Sequence, residues 1–393
     1  MPGPLEGIRV FDMTLAMVGP VATRHLGSLG ADVIHIEAPE GVRAPSGIPP
    51  LIRGTSSNYI QHNLNKRGII LDLKSPKDKQ VAYKILETCD LFVENMRTGV
   101  AERLGMGFAD VSRINPRIVY VAITGYGSSG PMAHTPGSDG NIQAFGGWNS
   151  ITGSPGGGWE ASRHHTQMDF NAGNYITQGA LIGLMARERT GKGQYIDLSM
   201  LGAAMAVQTS RIAEFFATGK TPPLMDSATI TTVPHQAFLC QDKQWVAVGV
   251  TKEEQWAPFC KVLKLDHLVG DQRFKTNRDR VVNRAQLIPI LEERFKTLPR
   301  YHWIMELNEV GVPAGKFMQW DEIRFHPQII ENQQIIQFPT KAWGTLYEGG
   351  PPYHFSETPA TTFAAPIPGE HTDEVLSEFG LSREDLSHPR SEP

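Results

Sequence analysis

The stretch IRVFDMTLAMVGPVATRHLGSLGADVIHIE, residues 8–37, contains two short apolar runs that flank a helix-like segment. The outer runs, 8–13 and 32–37, are rich in β-branched residues, as is typical of buried strands. The segment between them, 19–30, has the pattern of a helix that ends at a glycine. A strand, a helix and a second strand in this order predict a parallel βαβ unit.

The same alternation continues through the first 125 residues, with helical stretches such as 75–89 between further apolar runs. The additional predicted strands are 68–73, 91–95, 118–123 and, later in the chain, 194–199. We therefore predict an α/β fold in which helices cover the faces of a parallel sheet. Ligands should bind in the loops that follow its strands.

Composition and charge exclude several classes of protein. The chain has 393 residues, 40% of them apolar and 20% charged, which is ordinary for a globular protein with two domains or with one large domain that carries an insertion. The net charge is −4 and no run of Lys or Arg occurs, so we expect no nucleic-acid partner. No apolar run approaches the ~20 residues of a membrane span, and the start of the chain lacks a signal-peptide pattern. We expect a cytoplasmic protein without membrane contact.

The cysteines give no sign of a disulfide framework or a metal centre. Cys89, Cys240 and Cys260 are odd in number, far apart and without the spacing of zinc ligands. We expect three buried, reduced thiols. The adjacent His164 and His165 lack further ligands nearby, so a structural or surface role is the better interpretation, and a substrate contact is the alternative.

Residues 235–315 have a different sequence pattern from the rest of the chain and predict a small α+β domain inserted in the larger one. The run 237–250 suggests a hairpin, and Thr251 and Glu254 form a capping box that would open a helix. A long helix from Met200 to Phe216 is predicted before this domain. The predicted boundaries are 1–200 for the first part of the large domain, 201–225 for a linker helix, 226–315 for the small domain and 316–393 for the return to the large domain.

The first strand–helix junction carries no nucleotide-binding fingerprint. Gly19 stands alone where a dinucleotide fold needs three glycines at fixed spacing, and neither a phosphate-binding GxxxxGK[ST] loop nor the protein-kinase motifs occur. Basic residues nevertheless cluster after successive predicted strands, and they are Lys66, Arg67, Lys74, Arg97 and Arg103. They are either solvated side chains or, near the ligand-binding edge of the sheet, ligands of a phosphate-bearing cofactor.

The segment TQMDFNAGNY, residues 166–175, places one carboxylate, Asp169, at the predicted start of a helix. The apolar face of that helix is formed by residues four apart: Ala172, Ile176, Ala180 and Leu184. Asp169 could be the N-cap, although Asn171 could cap the helix equally well. The helix dipole and backbone N–H groups would keep such a carboxylate ionised, and an ionised carboxylate can attack an activated acyl group.

An ordered set of segments makes the chain resemble the class III coenzyme A transferases, the family that includes formyl-CoA and carnitine-CoA transferases. The segments are PLEGIRVFDMT, LGADVIHIEAPEG, NKRGIILDLKS, FVENMRTGVAERLGMGF, INPRIVYVAITGYGSSGP, ARERTGKGQYIDLSM and PGEHTDEVLSEFGL. The resemblance covers most of residues 4–218, returns at 312–381 and is weaker within the small domain. It implies an open Rossmann-like large domain, a small domain and an obligate homodimer whose chains interlock like links.

The resemblance also implies a chemistry in which Asp169 matches the family's nucleophile. The carboxylate attacks the donor thioester, and a mixed anhydride and then an aspartyl-CoA thioester follow before the acceptor acid takes the CoA. Acyl-CoA and carboxylate substrates are implied, with no permanently bound cofactor and no metal. The positions assigned to CoA binding are Met17, Val18, Leu71, Asp72, Leu73, Lys74, Asn95, Met96, Arg97, Arg103 and Asp139.

Departures from relatives narrow the activity. Racemases of the same superfamily carry His before the Asp of a GHD stretch, whereas Ser138 precedes Asp139 here and cannot accept a proton as imidazole can. Formyl-CoA transferases have Tyr at that position, Gln at the place of Met17 and a glycine run that is not recognisable here. These departures argue against a formyl-CoA or oxalate specificity. Family habit, as implied by the resemblance, favours CoA transfer from succinyl-CoA to a small di- or hydroxy-dicarboxylate. The alternatives are a 2-methylacyl-CoA racemase, an intramolecular CoA-shifting isomerase and a non-catalytic CoA-binding protein.

Overall fold

The computed structural model describes residues 3–39, 49–157 and 166–388. The chain forms two compact units. The larger unit comprises Met1–Trp148, Ala161–Lys220 and Pro327–Pro393, and the smaller comprises Asn149–Glu160 and Thr221–His326. The domain boundaries given above remain a prediction.

A six-stranded parallel sheet forms the centre of the larger unit. Its strands are β1 (Arg9–Met13), β2 (Asp32–Glu37), β3 (Arg67–Ile70), β4 (Leu91–Glu94), β5 (Val119–Thr124) and β6 (Gln194–Ser199). They lie in the order β3-β2-β1-β4-β5-β6, and every neighbouring pair is parallel. All six predicted strands are present, so the predicted α/β class with a parallel sheet is confirmed.

Most residues of the inner strands are apolar and buried because both faces of the sheet are covered, whereas β6 at one edge is only partly buried. On one face Phe11, Phe92 and Tyr120 stack on neighbouring strands, with ring centroids 5.2 Å and 4.4 Å apart. On the other face Val10 and Val121 belong to a second core cluster. Alternate residues thus point into different cores, as the pleat of a strand requires.

The helices of the larger unit lie before, between and after these strands. They are α1 (Val18–Ser28), α2 (Ser57–His62), α3 (Pro76–Leu86), α4 (Val100–Arg103), α5 (Phe108–Ile114), α6 (Asp139–Phe145), α8 (Gln167–Thr190), α9 (Met200–Val207), α10 (Thr209–Thr218), α16 (Pro327–Glu331) and α17 (Thr372–Glu378), and α7 (Trp148–Ile151) begins at the last residue of the first segment. The predicted apolar face of α8 is buried at all four positions. No helix in the described ranges is long and apolar enough to cross a membrane.

The long helix predicted from Met200 is interrupted at Gln208, so that prediction is wrong. Gln208 leaves helical geometry, and its Nε2 atom donates to the carbonyl oxygens of Gly146 and Ala204, both at 2.9 Å. The hydrogen bond to Gly146, 62 positions earlier, is a tertiary contact that holds the break in place, and the helical pattern of the sequence does not encode it. The result is two short helices, α9 and α10.

The smaller unit has its own antiparallel sheet and its own core. Strands β7 (His235–Leu239), β8 (Trp245–Gly249) and β9 (Ala314–Lys316) lie in the order β9-β8-β7, which includes the predicted hairpin. The helices are α11 (Trp256–Val262), α12 (Asn277–Val282), α13 (Arg284–Phe295), α14 (Arg300–Glu309) and α15 (Trp320–Ile323). Phe238, Phe259, Phe295 and Trp303 fill the core between them.

The predicted capping box of Thr251 and Glu254 is wrong by one residue. The side chain of Gln255 accepts from the backbone N–H groups of Thr251 (2.9 Å) and Lys252 (3.0 Å). A short 3-10 turn, Glu253–Gln255, precedes α11 and shifts the partner along the chain. Two further strands of the larger unit, β10 (Ile335–Thr340) and β11 (Gly344–Gly349), form a hairpin, and the short segments Leu51–Ile52 and Thr55–Ser56 form another antiparallel pair. Cys89, Cys240 and Cys260 are free and buried, as predicted.

Candidate active site

The sheet order creates a crevice between β1 and β4. The chain runs from β1 outward through β2 to β3 on one side, and from β4 outward through β5 to β6 on the other. The loops after β1 and β4 therefore diverge at the carboxyl edge, which is where open parallel sheets bind ligands. Asn95 connects the two loops, because its Oδ1 accepts from the N–H of Leu15 at 2.8 Å and its Nδ2 donates to the Leu15 carbonyl at 2.7 Å.

Most positions assigned to CoA binding lie at this carboxyl edge. Met17 and Val18 follow β1, residues 71–74 follow β3, and residues 95–97 follow β4. Leu71 and Leu73 bury their side chains in the core, so only their backbone atoms can contact a ligand. The basic side chains at this edge are exposed, and they are Lys74, Arg97 and Arg103.

Two of the five clustered basic residues are not at the ligand-binding edge. Lys66 and Arg67 stand at the start of β3, not after a strand. Arg67 forms ion pairs with Asp32, Glu374 and Glu378 near the opposite edge of the sheet. Lys66 is fully buried, with its Nζ atom 3.0 Å from Oδ2 of Asp12. The phosphate-ligand interpretation therefore keeps only Lys74, Arg97 and Arg103.

The buried carboxylate of Asp12 holds the start of the loop after β1 in place through hydrogen bonds. Its carboxylate accepts from Thr14 through the backbone N–H (3.1 Å) and the hydroxyl, and from Thr23 Oγ1 at 2.8 Å. Burial alone would raise the pKa of Asp12, but the charge of Lys66 and the contact with His35 hold it well below its usual range. The ionised side chain thus fixes Thr14, the first residue of the loop that leads to Met17.

Asp169 lies in the first turn of α8, two residues after the helix begins at Gln167. Neither Asp169 nor Asn171 caps this helix, so both capping interpretations are wrong, because the helix already includes the two residues. The N-cap residue is Thr166, whose φ of 41° lies in the left-handed region and whose side chain makes no capping hydrogen bond.

The carboxylate of Asp139, the first residue of α6, occupies this helix end instead. Its Oδ1 atom accepts from the N–H of Met168 at 2.6 Å and from the N–H of Asp169 at 3.3 Å. Its Oδ2 atom accepts from Nε2 of Gln143 at 2.6 Å, and the residue is only 9% exposed. Local sequence could not reveal this cap, because Asp139 lies 29 positions before Met168. The CoA contact predicted for Asp139 stays a prediction.

Burial and the charge of Asp139 raise the pKa of the Asp169 carboxyl to about 7. The expectation that the helix terminus keeps this carboxyl fully ionised is therefore wrong near neutral pH. The N–H of Asp169 itself donates to Asp139, and desolvation outweighs the helix dipole. Near neutral pH the protonated and ionised forms of Asp169 are therefore both populated.

Gly173 marks a close contact between α8 and α1. A β-carbon at Gly173 would lie 3.0 Å from the carbonyl oxygen of Val18 and 3.0 Å from Cγ1 of Val21, so any larger residue would push α8 and α1 apart by a few tenths of an ångström. Asp169 lies one helical turn before Gly173, on the same side of the helix. Asp169 therefore precedes the contact between Gly173 and Val18 by one helical turn.

His62, which sequence reasoning did not single out, also lies beside this turn. Its ring packs edge-on against that of Phe170, with centroids 6.0 Å apart. Burial and the charges of Arg24 and Lys66 lower the pKa of His62 to about 4, so the ring is neutral at pH 7. His164 and His165 lie outside the described residues. Within the described ranges, no group of His, Cys, Asp and Glu side chains could hold a metal ion.

Comparisons with known proteins place these features in one family. The family model of CoA-transferase family III matches residues 5–372. The chain is 33% identical to the succinyl-CoA:glutarate CoA-transferase of Mus musculus, over 95% of this chain and 86% of that protein. It is 32% identical to the acetyl-CoA:oxalate CoA-transferase of Acetobacter aceti, over 89% and 88%. A crystal structure of a CaiB/BaiF family protein from Brucella suis superposes with a TM-score of 0.87 at 29% identity, over 96% of this chain and all of that one.

Proposed function

The chain belongs to CoA-transferase family III and is a CoA-transferase, and from this premise we propose that it moves CoA from succinyl-CoA to a small di- or hydroxy-dicarboxylate through a thioester of Asp169. The observation that carries the proposal is the position of Asp169. It is a carboxyl group whose pKa is raised to about 7 by burial and by Asp139, and it lies in the first turn of α8, one turn before the contact of Gly173 with Val18. A carboxylate that ionises near the working pH is a usable nucleophile.

In the proposed reaction the ionised Asp169 attacks the thioester carbonyl of the donor. The C–S bond breaks, CoA leaves as thiolate, and a mixed anhydride joins Asp169 to the acyl group. The thiolate attacks the aspartyl carbonyl of this anhydride, which releases the donor acid and leaves aspartyl-CoA. The acceptor carboxylate then attacks aspartyl-CoA, which releases CoA thiolate and forms a second anhydride between Asp169 and the acceptor. The thiolate attacks the acceptor's carbonyl in this second anhydride. This restores the Asp169 carboxylate and gives the acceptor's CoA thioester without ATP.

The surrounding residues support these steps. The first N–H groups of α1 have no acceptor within the helix and lie where α8 packs against Val18, so they are suitable donors to a developing oxyanion. Lys74, Arg97 and Arg103 are exposed cations at the same edge of the sheet and suit the phosphates of CoA. Asn95 fixes the loop that contains Met17 relative to the loop that contains Arg97.

The substrate proposal rests on family resemblance and on the activities for which relatives are named. Succinyl-CoA and glutarate occur in the name of one relative, and a malate acceptor occurs in the name of another, a subunit of the succinyl-CoA:L-malate enzyme from Chloroflexus aurantiacus. We propose the same donor and the same acceptor class for this chain. We also propose that it acts in the cytoplasm as a homodimer.

The test is a matrix of donors and acceptors analysed by mass spectrometry of the CoA products. Succinyl-CoA and acetyl-CoA are each offered glutarate, malate, oxalate and a monocarboxylic acid as acceptors. Transfer from succinyl-CoA to the dicarboxylates is expected, and Asp169→Ala should abolish it while the protein stays folded. Incubation with donor alone, followed by hydroxylamine, should modify Asp169. Rapid deuteration of the α-carbon of a 2-methylacyl-CoA, without CoA transfer, would instead identify a racemase.

A further inference from the structure

We infer that Asp139 is a positioning residue for CoA transfer: its carboxylate fixes the first turn of α8, and its negative charge sets the pH at which Asp169 reacts. The inference rests on the function proposed above. Its geometric basis is the pair of hydrogen bonds from the N–H groups of Met168 (2.6 Å) and Asp169 (3.3 Å) to one carboxylate oxygen. The second oxygen is held by Gln143, so the side chain has one fixed orientation.

The capping role alone does not require a charged residue. A helix N-terminus is usually capped by the side chain of its own N-cap residue, and Thr166 has a suitable hydroxyl. With φ at 41°, however, its side chain makes no such bond, and a side chain from α6 takes the position. An amide oxygen would accept the same two hydrogen bonds without a charge. What a carboxylate adds is electrostatic repulsion against the ionised form of Asp169, in a partly desolvated site.

That repulsion has a use in the reaction. A carboxylate with a higher pKa is a stronger nucleophile, while a pKa far above the working pH would leave too little of it ionised. A value near neutrality balances the two demands. Asp139 therefore both holds Asp169 in place and makes its carboxylate more basic.

Asp139 is the one charged group among the described residues that shifts the pKa of Asp169. The elements packed against α8 are α1, α6, α9, β5 and β6. Their other titratable groups are Arg24, His25, Tyr120, Tyr195 and Asp197. Among the described residues, only burial and Asp139 move the pKa of Asp169. His62 contacts Phe170 from α2, but its ring is neutral at pH 7.

The first experiment compares the pH profiles of kcat and of kcat/KM for the wild type and Asp139→Asn, with succinyl-CoA and glutarate. The asparagine oxygen can keep both backbone hydrogen bonds, and a turned-over amide of Gln143 can accept from the asparagine nitrogen that replaces Oδ2, so the helix end should stay in place. The acid limb of the profile should move to lower pH by about one unit or more, because a like charge has been removed. The matched control is Asp279→Asn, the same charge change in the first turn of α12 in the smaller unit. It should leave the limb where it is.

A second experiment needs no turnover and so separates this inference from the proposed function. Urea unfolding at a series of pH values gives the change in unfolding free energy caused by Asp169→Asn, once in the otherwise wild-type protein and once in the protein that also carries Asp139→Asn. The pH midpoint at which this change develops should be lower in the protein that carries Asp139→Asn, by the same amount as the acid limb moves. An unchanged midpoint overturns the inference, even if Asp169 proves to be the nucleophile. So does a rise in KM for acyl-CoA with an unmoved limb, which would make Asp139 a CoA contact.

Discussion

Ionisation of Asp169 should cost the folded state free energy. The pKa of Asp169 is raised to about 7 from an ordinary value of 3.8 by burial and by the charge of Asp139. Between these two values the unfolded chain ionises while the folded one holds its proton, so stability falls as pH rises towards 7 and stays low above it. Asp169→Asn removes this cost. We expect it to raise the free energy of unfolding at pH 8 by about 1–3 kcal/mol and to change it little at pH 4.5, measured by urea unfolding.

A control of opposite sign accompanies that prediction. Asp279 accepts a hydrogen bond from Thr276 at 2.6 Å, which lowers the pKa of its exposed carboxylate. Asp279→Asn should therefore destabilise the protein at pH 8. If Asp169→Asn also destabilises it there, Asp169 is a structural carboxylate that the fold needs ionised. The proposed free-energy cost of ionising Asp169 in the folded state would then be absent.

Arg103 should bind a phosphate of CoA. Its side chain is exposed at the carboxyl edge of the sheet and lies close to Gly99, in the loop after β4. Arg103→Ala should weaken CoA binding by about 1–3 kcal/mol, the scale of a charge-assisted hydrogen bond, as measured by isothermal titration calorimetry. The control is Arg113→Ala, which removes an exposed arginine paired with Asp110 on α5 and should leave the affinity for CoA unchanged. Unchanged affinities for both CoA and dephospho-CoA would make Arg103 a solvated side chain only.

Among the elements, α8 depends on glycines to reach the sheet. A β-carbon at Gly183 would lie 2.5 Å from Cγ1 of Val119 and 2.9 Å from Cδ1 of Ile196, both on strands that cannot easily retreat. Gly183→Ala should cost about 1–3 kcal/mol of stability through overpacking. Gly179→Ala, one turn earlier, meets nothing closer than 3.4 Å and should gain up to about 1 kcal/mol from helix propensity. Thermal unfolding of the two variants is the measurement, and equal effects would contradict this packing.

Element types could be predicted from the sequence, but their ends often could not. Most of the six strands are short segments rich in buried apolar residues, and that pattern is local. The N-terminus of α8 instead depends on Asp139, and the break between α9 and α10 on the hydrogen bond from Gln208 to Gly146. Partners that are distant in sequence determine these ends, and a window of neighbouring residues does not contain them.

For the molecule as a whole, the sequence predicted the fold class and the edge of the sheet that carries most of the assigned residues. It did not separate ligand-facing cations from structural ones. Lys66 and Lys74 both flank β3, yet one is buried against Asp12 and the other is exposed. The difference arises because β1 and β3 lie in one sheet, where the buried Asp12 needs a counter-charge. Sequence spacing alone carries no information about that pairing.

The single chain leaves apolar surface that a partner subunit would cover. Helix α10 has no buried residue, and its Phe216 is 81% exposed. On α8, Ile182 and Met185 are 63% and 60% exposed. A helix without a buried face is rarely stable unless something packs against it. These surfaces agree with the predicted homodimer, which light scattering at dilute concentration should detect without any folded monomer.

The interlocked arrangement predicted for that dimer has a kinetic consequence. Two chains that thread through each other cannot separate while both stay folded, so exchange of subunits requires unfolding. Tagged and untagged homodimers mixed under native conditions should therefore form no mixed dimer over days, as measured by native mass spectrometry. The same mixture, unfolded in denaturant and refolded, should give the mixed dimer in the statistical ratio. A dimer that is tight but not interlocked would exchange its subunits slowly but measurably. Its exchange would become faster after dilution, and at a raised temperature that stays below the unfolding transition. Exchange under those conditions would leave the homodimer intact as a proposal and remove the interlocking.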